Sequence, residues 1–187
     1  MDLNTYIKFI KKWEGGLSGD PSDSCSAMYC PTLFKGKMYH TNMGICYSTW
    51  VGTFGTTNDQ RFLNMNSDDW FKIFKRGYWD NVRADEFNSF SVGVIVTGMA
   101  WGSGQRQAIK TLQQALNNLG KNVSIDGAIG PKTIAAANEL NERILFDELI
   151  RLREAFFIAI SKPGSKNAKY RKGWLNRLAD YYETFRP

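Results

Sequence analysis

The hydrophobic positions of this chain fall into stretches of helical period separated by polar, glycine-rich segments. Residues 3–13 carry Leu3, Ile7 and Ile10 at spacings of four and three, and the same stripe continued by four lands on Glu14. Gly15 and Gly16 follow at once, where a helix commonly ends in a left-handed glycine. Residues 67–78 place Trp70, Phe71, Ile73, Phe74 and Tyr78 at helical spacing behind Ser67, Asp68 and Asp69, a hydroxyl cap with acids in the first turn. Residues 91–101, SVGVIVTGMAW, are apolar almost all round and predict a central buried helix, with a buried strand left open by the pattern. Residues 105–119 bring Ala108, Ile109, Leu112, Ala115, Leu116 and Leu119 onto one face, and Gly120 stops them. Pro131 sits at a favourable first helical position. A long helix over 141–161 carries Ile144, Leu145, Leu149, Leu152, Phe156 and Ile160, and a last one over 172–185 carries Trp174, Leu175, Leu178 and Tyr182.

The intervening segments read as connections. Residues 17–24 are a loop by composition, 25–37 an insertion or hairpin arm, and 37–45 a short strand or turn lining a cleft. Residues 47–51 open a short helix before a Gly/Thr/Asn-rich loop at 52–60. Residues 79–90 and 121–131 are polar connections. The expected fold is mainly α: a helical bundle around a central apolar helix, with a small irregular or β region near residues 15–47.

Composition changes this picture little. The 187 residues suit one domain, or one with a closely attached subdomain, and 43% hydrophobic with 22% charged residues is ordinary for a globular protein. Aromatics are abundant at 14%; they suit sugar faces, but most are expected in the core. The net charge of +6 suggests an acidic partner, either nucleic acid or an anionic cell-wall polymer. The basic residues are scattered apart from a modest cluster over 162–177, so no nucleic-acid partner is expected. Three cysteines (Cys25, Cys30, Cys46) define no disulfide framework; Cys25 and Cys30 could pair across a short loop. One histidine and no tight Cys/His spacing argue against a metal site, and no cofactor is implied. The start of the chain lacks the continuous apolar core of a signal peptide, and no run is long enough to span a bilayer. A protein acting on the wall would then reach it after release or by a non-classical export route. A monomer is expected.

The chemistry centres on Glu14. A carboxyl at a helix C-terminus meets the negative end of the dipole, and a partly apolar wall penalises its charged form. Both raise its pKa, as a general acid near neutral pH requires. The competing reading is a surface Glu in a last helical turn.

Glu14-Gly15-Gly16, then Asp23 nine residues after Glu14, then Thr41 ahead of Gly44-Ile45, resembles the N-terminal signature of glycoside hydrolase family 108, a group of lysozyme-like N-acetylmuramidases. Here an extra segment, 24–40, separates the Asp from the Thr, and Asp20 competes with Asp23. Tyr78-Trp79-Asp80 resembles the family's Tyr-Trp after its second helix. Leu112-Gln113, Asp126-Gly127, Gly130-Pro131 and Thr133 resemble the peptidoglycan-binding segment joined to this catalytic region, and residues 172–177 resemble its tail. One position departs: related sequences often carry an Asp three residues before the position of Trp101, and Gly98 stands there.

The resemblance implies a lysozyme-like α+β fold with a catalytic region at 1–104 and a helical peptidoglycan-binding segment at 105–187. It implies Glu14 as the acid, Asp23 positioning water or stabilising charge, and Thr41 holding the nucleophilic water. Asp20, Tyr39, Asn42, Tyr78, Trp79 and Trp101 are the substrate-binding candidates. His40, beside Thr41, is a candidate proton carrier, although lone loop histidines seldom serve that way. The expected activity is cleavage of the β-1,4 bond between N-acetylmuramic acid and N-acetylglucosamine in peptidoglycan. The rivals are a catalytically inactive wall-binding protein of the same fold and a basic nucleic-acid-binding helical domain.

Overall fold

A computed structural model describes residues 2–21, 25, 33–34, 37–55 and 59–187. Backbone contacts divide the chain into two compact units, residues 1–77 and 78–187. No helix among the described residues is long and apolar enough to cross a membrane.

In the first unit, α1 (Leu3–Trp13) starts at Asp2, whose carboxylate accepts the Thr5 N–H at 2.9 Å. It buries Tyr6, Phe9 and Ile10. The helix does not end in a left-handed glycine as its sequence predicts. Glu14 is already extended, at φ −91° and ψ 133°, and neither Gly15 nor Gly16 takes positive φ. The chain must leave straight, because the next residues pair with a strand. Two two-stranded antiparallel ladders follow, β1 (Leu33–Phe34) with β2 (Lys37–Met38), and β3 (Thr41–Asn42) with β4 (Ile45–Cys46).

α2 (Tyr47–Phe54) continues past its expected end, and α3 (Asp59–Leu63) stands at the edge of a stretch read as loop. Local propensity is weak here. The short helix is held by burial of Phe62 and Leu63 and by the Asn42 side-chain amide, which donates to the Phe62 and Leu63 carbonyls at 2.7 and 3.2 Å. α4 (Ser67–Phe74) is capped by Asn66 rather than Ser67: its side chain accepts the Asp69 N–H at 2.8 Å. Asp69 itself is buried and takes a two-pronged bond from Arg61, at 2.6 and 3.1 Å. The core is aromatic: Trp70 stacks on Phe74, Tyr6 meets Phe74 edge-on, and Tyr47 and Trp50 meet Phe62 edge-on. A π-helical turn, Lys75–Trp79, follows α4.

The second unit is built on α5 (Phe90–Ser103), in which every residue from Ser91 to Ala100 is buried. The pattern leaves helix or strand open over this segment; a 14-residue helix with neighbours on all sides is what forms. α5 packs against α6 (Gln105–Asn118) and α8 (Glu142–Ile160), and α8 against α9 (Arg171–Phe185). α7 (Pro131–Asn138) begins on Pro131 as expected. Gly98 marks a close approach. A Cβ there would stand 2.4 Å from the Tyr181 hydroxyl, on a side chain that is itself fully buried. Arg153, also buried, donates to the Gly98 carbonyl at 2.8 Å. The position is part of a core and has no room for a carboxylate.

The loop between α6 and α7 is clamped. Gln113, 1% exposed, donates through Nε2 to Asp126 Oδ1 and to the Ala128 carbonyl at 2.8 and 3.0 Å. Its Oε1 accepts the Gly127 N–H at 2.9 Å. Gly127 has φ +78°, and a Cβ there would meet Arg106 Cγ at 2.6 Å. The Asp126 carboxylate also accepts the Ala128 N–H. That backbone bond, then the Gln113 bond, lowers its pKa.

Two outcomes follow from this packing. Gly98→Ala is expected to reduce unfolding free energy by about 1–3 kcal/mol, the cost of overfilling a packed core, read from urea unfolding. A lowered folded pKa means that the Asp126 contribution is present at neutral pH and is lost as pH falls below about 4, through that lowered pKa. Asp126→Asn should therefore flatten the acid limb of a stability-versus-pH curve between pH 4 and 2 (roughly the window of an ionising Asp) and leave its neutral limb parallel to wild type.

Candidate functional site

The candidate site grows from a backbone pairing. Residues 16–18 run antiparallel to residues 41–43. The Ser18 N–H donates to the Thr41 carbonyl at 2.8 Å, and the Ser18 carbonyl accepts the His40 and Thr41 N–H groups at 3.1 and 3.2 Å. The Met43 N–H donates to the Gly16 carbonyl at 3.4 Å. The segment that follows Glu14 is thereby fixed against the β3–β4 hairpin.

That hairpin turns on Met43 and Gly44, with φ +48° and +77°. Two positive φ values in a two-residue loop make a type I′ turn, which suits the twist of paired strands and explains why a glycine precedes Ile45. Met43 is strained as a non-glycine residue in this region. It is held there by its bond to Gly16 and by its own carbonyl, which accepts the Trp70 indole N–H at 3.0 Å. A core tryptophan of α4 thus anchors the turn that follows β3, the strand that carries Thr41.

Thr41 and His40 are both buried, at 9% and 7% exposure. His40 bridges two segments: Nε2 lies 3.0 Å from the Asp20 carbonyl oxygen, and Nδ1 lies 3.1 Å from Thr41 Oγ1. A carbonyl can only accept, so Nε2 carries a proton. In the neutral ring Nδ1 then accepts, and the Thr41 hydroxyl donates to it. The Thr41 oxygen keeps its lone pairs for a hydrogen from another group, such as water. The sequence offers His40 as a disfavoured candidate proton carrier; its two contacts make it the residue that sets the polarity of Thr41. No sequence signal could have supplied its two partners, which come from separate stretches of chain.

Glu14 is half-buried at the end of α1, with its N–H still bonded to the Ile10 carbonyl at 3.2 Å. Gly15 and Gly16 are exposed, and a Cβ on either would meet nothing within 4 Å. Among the described residues nothing stands against these two positions. Asp20 is exposed and contributes its carbonyl to His40. Tyr39 is half-buried next to His40. Asn42 is buried, and its amide is engaged with the carbonyls of α3, a structural job. Asp23 lies outside the described residues.

Tyr78, Trp79 and Trp101 belong to the second unit. Trp79 is buried at 2% exposure and donates its indole N–H to Asp85 at 2.7 Å, so it is a core residue. Tyr78 and Trp101 are half-buried and in ring contact at 4.7 Å. Glu14, Asp20, Tyr39, His40, Thr41 and Asn42 all lie in the first unit, where the pairing of residues 16–18 with 41–43 gathers the two segments that carry them.

The cysteine pairing differs from the short-loop expectation. Cys25 is bonded to Cys46 at the end of β4, with Cα atoms 5.6 Å apart, and Cys30 lies outside the described residues. A bond across 21 positions closes a longer loop than a Cys25–Cys30 bond would. Such a closure stabilises by about 3 kcal/mol. It ties residue 25 of the extra segment directly to the hairpin of Thr41.

The family model described as Glycosyl hydrolase 108 matches residues 7–104. The chain belongs to the glycosyl hydrolase 108 family. A second model, described as Predicted Peptidoglycan domain, matches residues 107–179. Together they make this member of the family a peptidoglycan hydrolase with a wall-binding segment, a glycoside hydrolase of mainly helical, lysozyme-like fold. The solved structure of Brucella abortus SagA is similar over 97% of this chain and 94% of that one, with a TM-score of 0.74 and 24% identity, a likeness of fold. No match is found among curated proteins.

If His40 holds Thr41, replacing it should cost turnover in the folded protein beyond the stability lost with a buried, hydrogen-bonded side chain. His40→Ala is expected to slow peptidoglycan hydrolysis by about 10²-fold, the cost of a displaced reacting group. His40→Gln, which can both donate and accept, should recover a substantial part of the rate. Turnover on purified peptidoglycan, with unfolding midpoints alongside, reads both.

Proposed function

We propose that this protein is an N-acetylmuramidase that cleaves the β-1,4 bond between N-acetylmuramic acid and N-acetylglucosamine, with Glu14 as general acid. The observation that carries the reading is the pairing of residues 16–18 with 41–43, which sets the segment leading from Glu14 against the strand that carries Thr41.

Breaking a glycosidic bond requires a proton on the leaving oxygen and a nucleophile at the anomeric carbon, through a transition state with oxocarbenium character. Glu14 gives its proton to the leaving 4-oxygen as the C1–O bond breaks. Water held by the Thr41 hydroxyl adds to the anomeric carbon. Its surplus proton passes to a carboxylate, the role for which Asp23 is the first candidate and Asp20 the second. His40 keeps Thr41 turned as an acceptor, which orients the water with its own lone pair toward carbon. Gly15 and Gly16 beside Glu14 are exposed and carry no side chains to hinder a polymer. Tyr39 offers an aromatic face on the same unit, and Tyr78 with Trp101 offer another for sugar rings.

The site of action is the wall. The Cys25–Cys46 bond supports a destination outside the reducing cytoplasm. The protein acts as a monomer.

Glu14→Gln removes the transferable proton and leaves the shape. Its expected effect is a loss of about 10²–10⁴-fold in wall-clearing rate, the usual worth of a positioned general acid, at an unchanged unfolding midpoint. Turbidity loss of purified peptidoglycan measures it. Full activity in this variant would remove Glu14 from the chemistry.

A further inference from the structure

Ile125 is 43% exposed, although it directly precedes the clamped Asp126-Gly127 turn. A fully buried glutamine holds that turn, donating two hydrogen bonds to it and accepting one. An isoleucine on a freely varying loop would need no explanation; one held out by this machinery does. Ile125 lines an open groove of about 260 Å³, together with Gln107, Lys110 and Gln114 of α6 and Leu152 and Phe156 of α8. Every residue lining the groove falls within the segment that matches the peptidoglycan-binding family.

The groove has a definite chemistry. Ile125, Leu152 and Phe156 supply apolar and aromatic surface. Gln107 donates its amide N–H to Thr111 at 3.3 Å, and Gln114 donates to Asn118 at 2.7 Å, so each keeps a carbonyl oxygen as an acceptor. Lys110 supplies a positive charge, and none of the lining residues is acidic. The stem of Lys110 lies against the clamped turn, where a Cβ on Gly127 would meet its Cγ at 3.3 Å. The clamp therefore positions both the apolar residue and the base of the cation.

We propose that this groove docks the wall glycan. The apolar face of an N-acetylated sugar lies on Ile125, Leu152 and Phe156, and its hydroxyl and acetamido N–H groups donate to Gln107 and Gln114. A carboxylate of the stem peptide attached to the neighbouring sugar pairs with Lys110. The inference rests on the peptidoglycan-binding match and is independent of Glu14.

The test uses the full chain and two soluble probes. One is a disaccharide-tripeptide fragment of peptidoglycan, N-acetylglucosaminyl-N-acetylmuramoyl-tripeptide, which lacks the bond that the proposed activity cleaves. The other is chitotriose, which has the acetamido sugars and no carboxylate. Lys110→Glu should weaken binding of the muropeptide about tenfold, as loss of one charge-assisted bond does, and leave chitotriose affinity unchanged. Ile125→Ser should weaken both. Both substitutions lie at solvent-facing positions, and their unfolding midpoints are measured alongside. Wild-type affinity for the muropeptide in both variants would overturn the groove assignment, as would no saturable muropeptide binding by the wild-type chain. Equal loss on both probes in Lys110→Glu would overturn the carboxylate pairing. Normal muropeptide binding by Glu14→Gln, whether or not that variant clears walls, keeps the two readings separate.

Discussion

Five backbone residues decide most of what the first unit can do. Ser18 exchanges three hydrogen bonds with His40 and Thr41, and Gly16 takes a fourth from Met43. That pairing holds the chain extended where it leaves α1. It sets Ser18 in a single antiparallel bridge to Thr41, beside the β3–β4 hairpin. The extended conformation of Glu14, the absence of left-handed glycines after it, and the positive φ of Met43 all follow from this one constraint. The cost of Met43 is offset locally, by the Gly16 carbonyl on one side and the Trp70 indole on the other.

Periodicity made the long elements legible. α6 and α8 have apolar faces that only a helix can gather, and α5 is buried all round, so its length and neighbours were needed to choose helix over strand. Tertiary contacts hid the rest. α3 is five residues long and holds together through Asn42, twenty positions away. Cys25 found Cys46 and not the nearer Cys30, because the hairpin carries Cys46 to it. His40 was visible as the only histidine, but its role lies in bonds to a carbonyl and a hydroxyl that the sequence does not place. Aromatic residues showed the same limit from the other side: Trp79 is core and Trp101 half-buried, and nothing in their spacing distinguishes them.

The second unit shows how family motifs become physics. Leu112-Gln113 and Asp126-Gly127 are parts of one clamp: Leu112 is core, Gln113 reaches into the loop, Asp126 closes a turn, and Gly127 allows the backbone to lie on Arg106. Gly98, which departs from its relatives, has an equally local cause. Tyr181 occupies the space that any side chain there would need. Gly98 therefore supplies no second carboxylate, and Asp20 and Asp23, which follow Glu14 in the chain, stay the candidates for that role. These candidates share one short stretch with Glu14, and in the chain the extra segment, with Cys25 in its disulfide, comes between that stretch and Thr41.

The claim that joins these features is that the protein hydrolyses the bond on the reducing side of N-acetylmuramic acid. Borohydride reduction of the soluble products of peptidoglycan digestion, followed by mass spectrometry, reads which sugar carries the new reducing end. The account predicts N-acetylmuramitol. N-acetylglucosaminitol, or a 1,6-anhydro sugar that takes up no hydride, would contradict it.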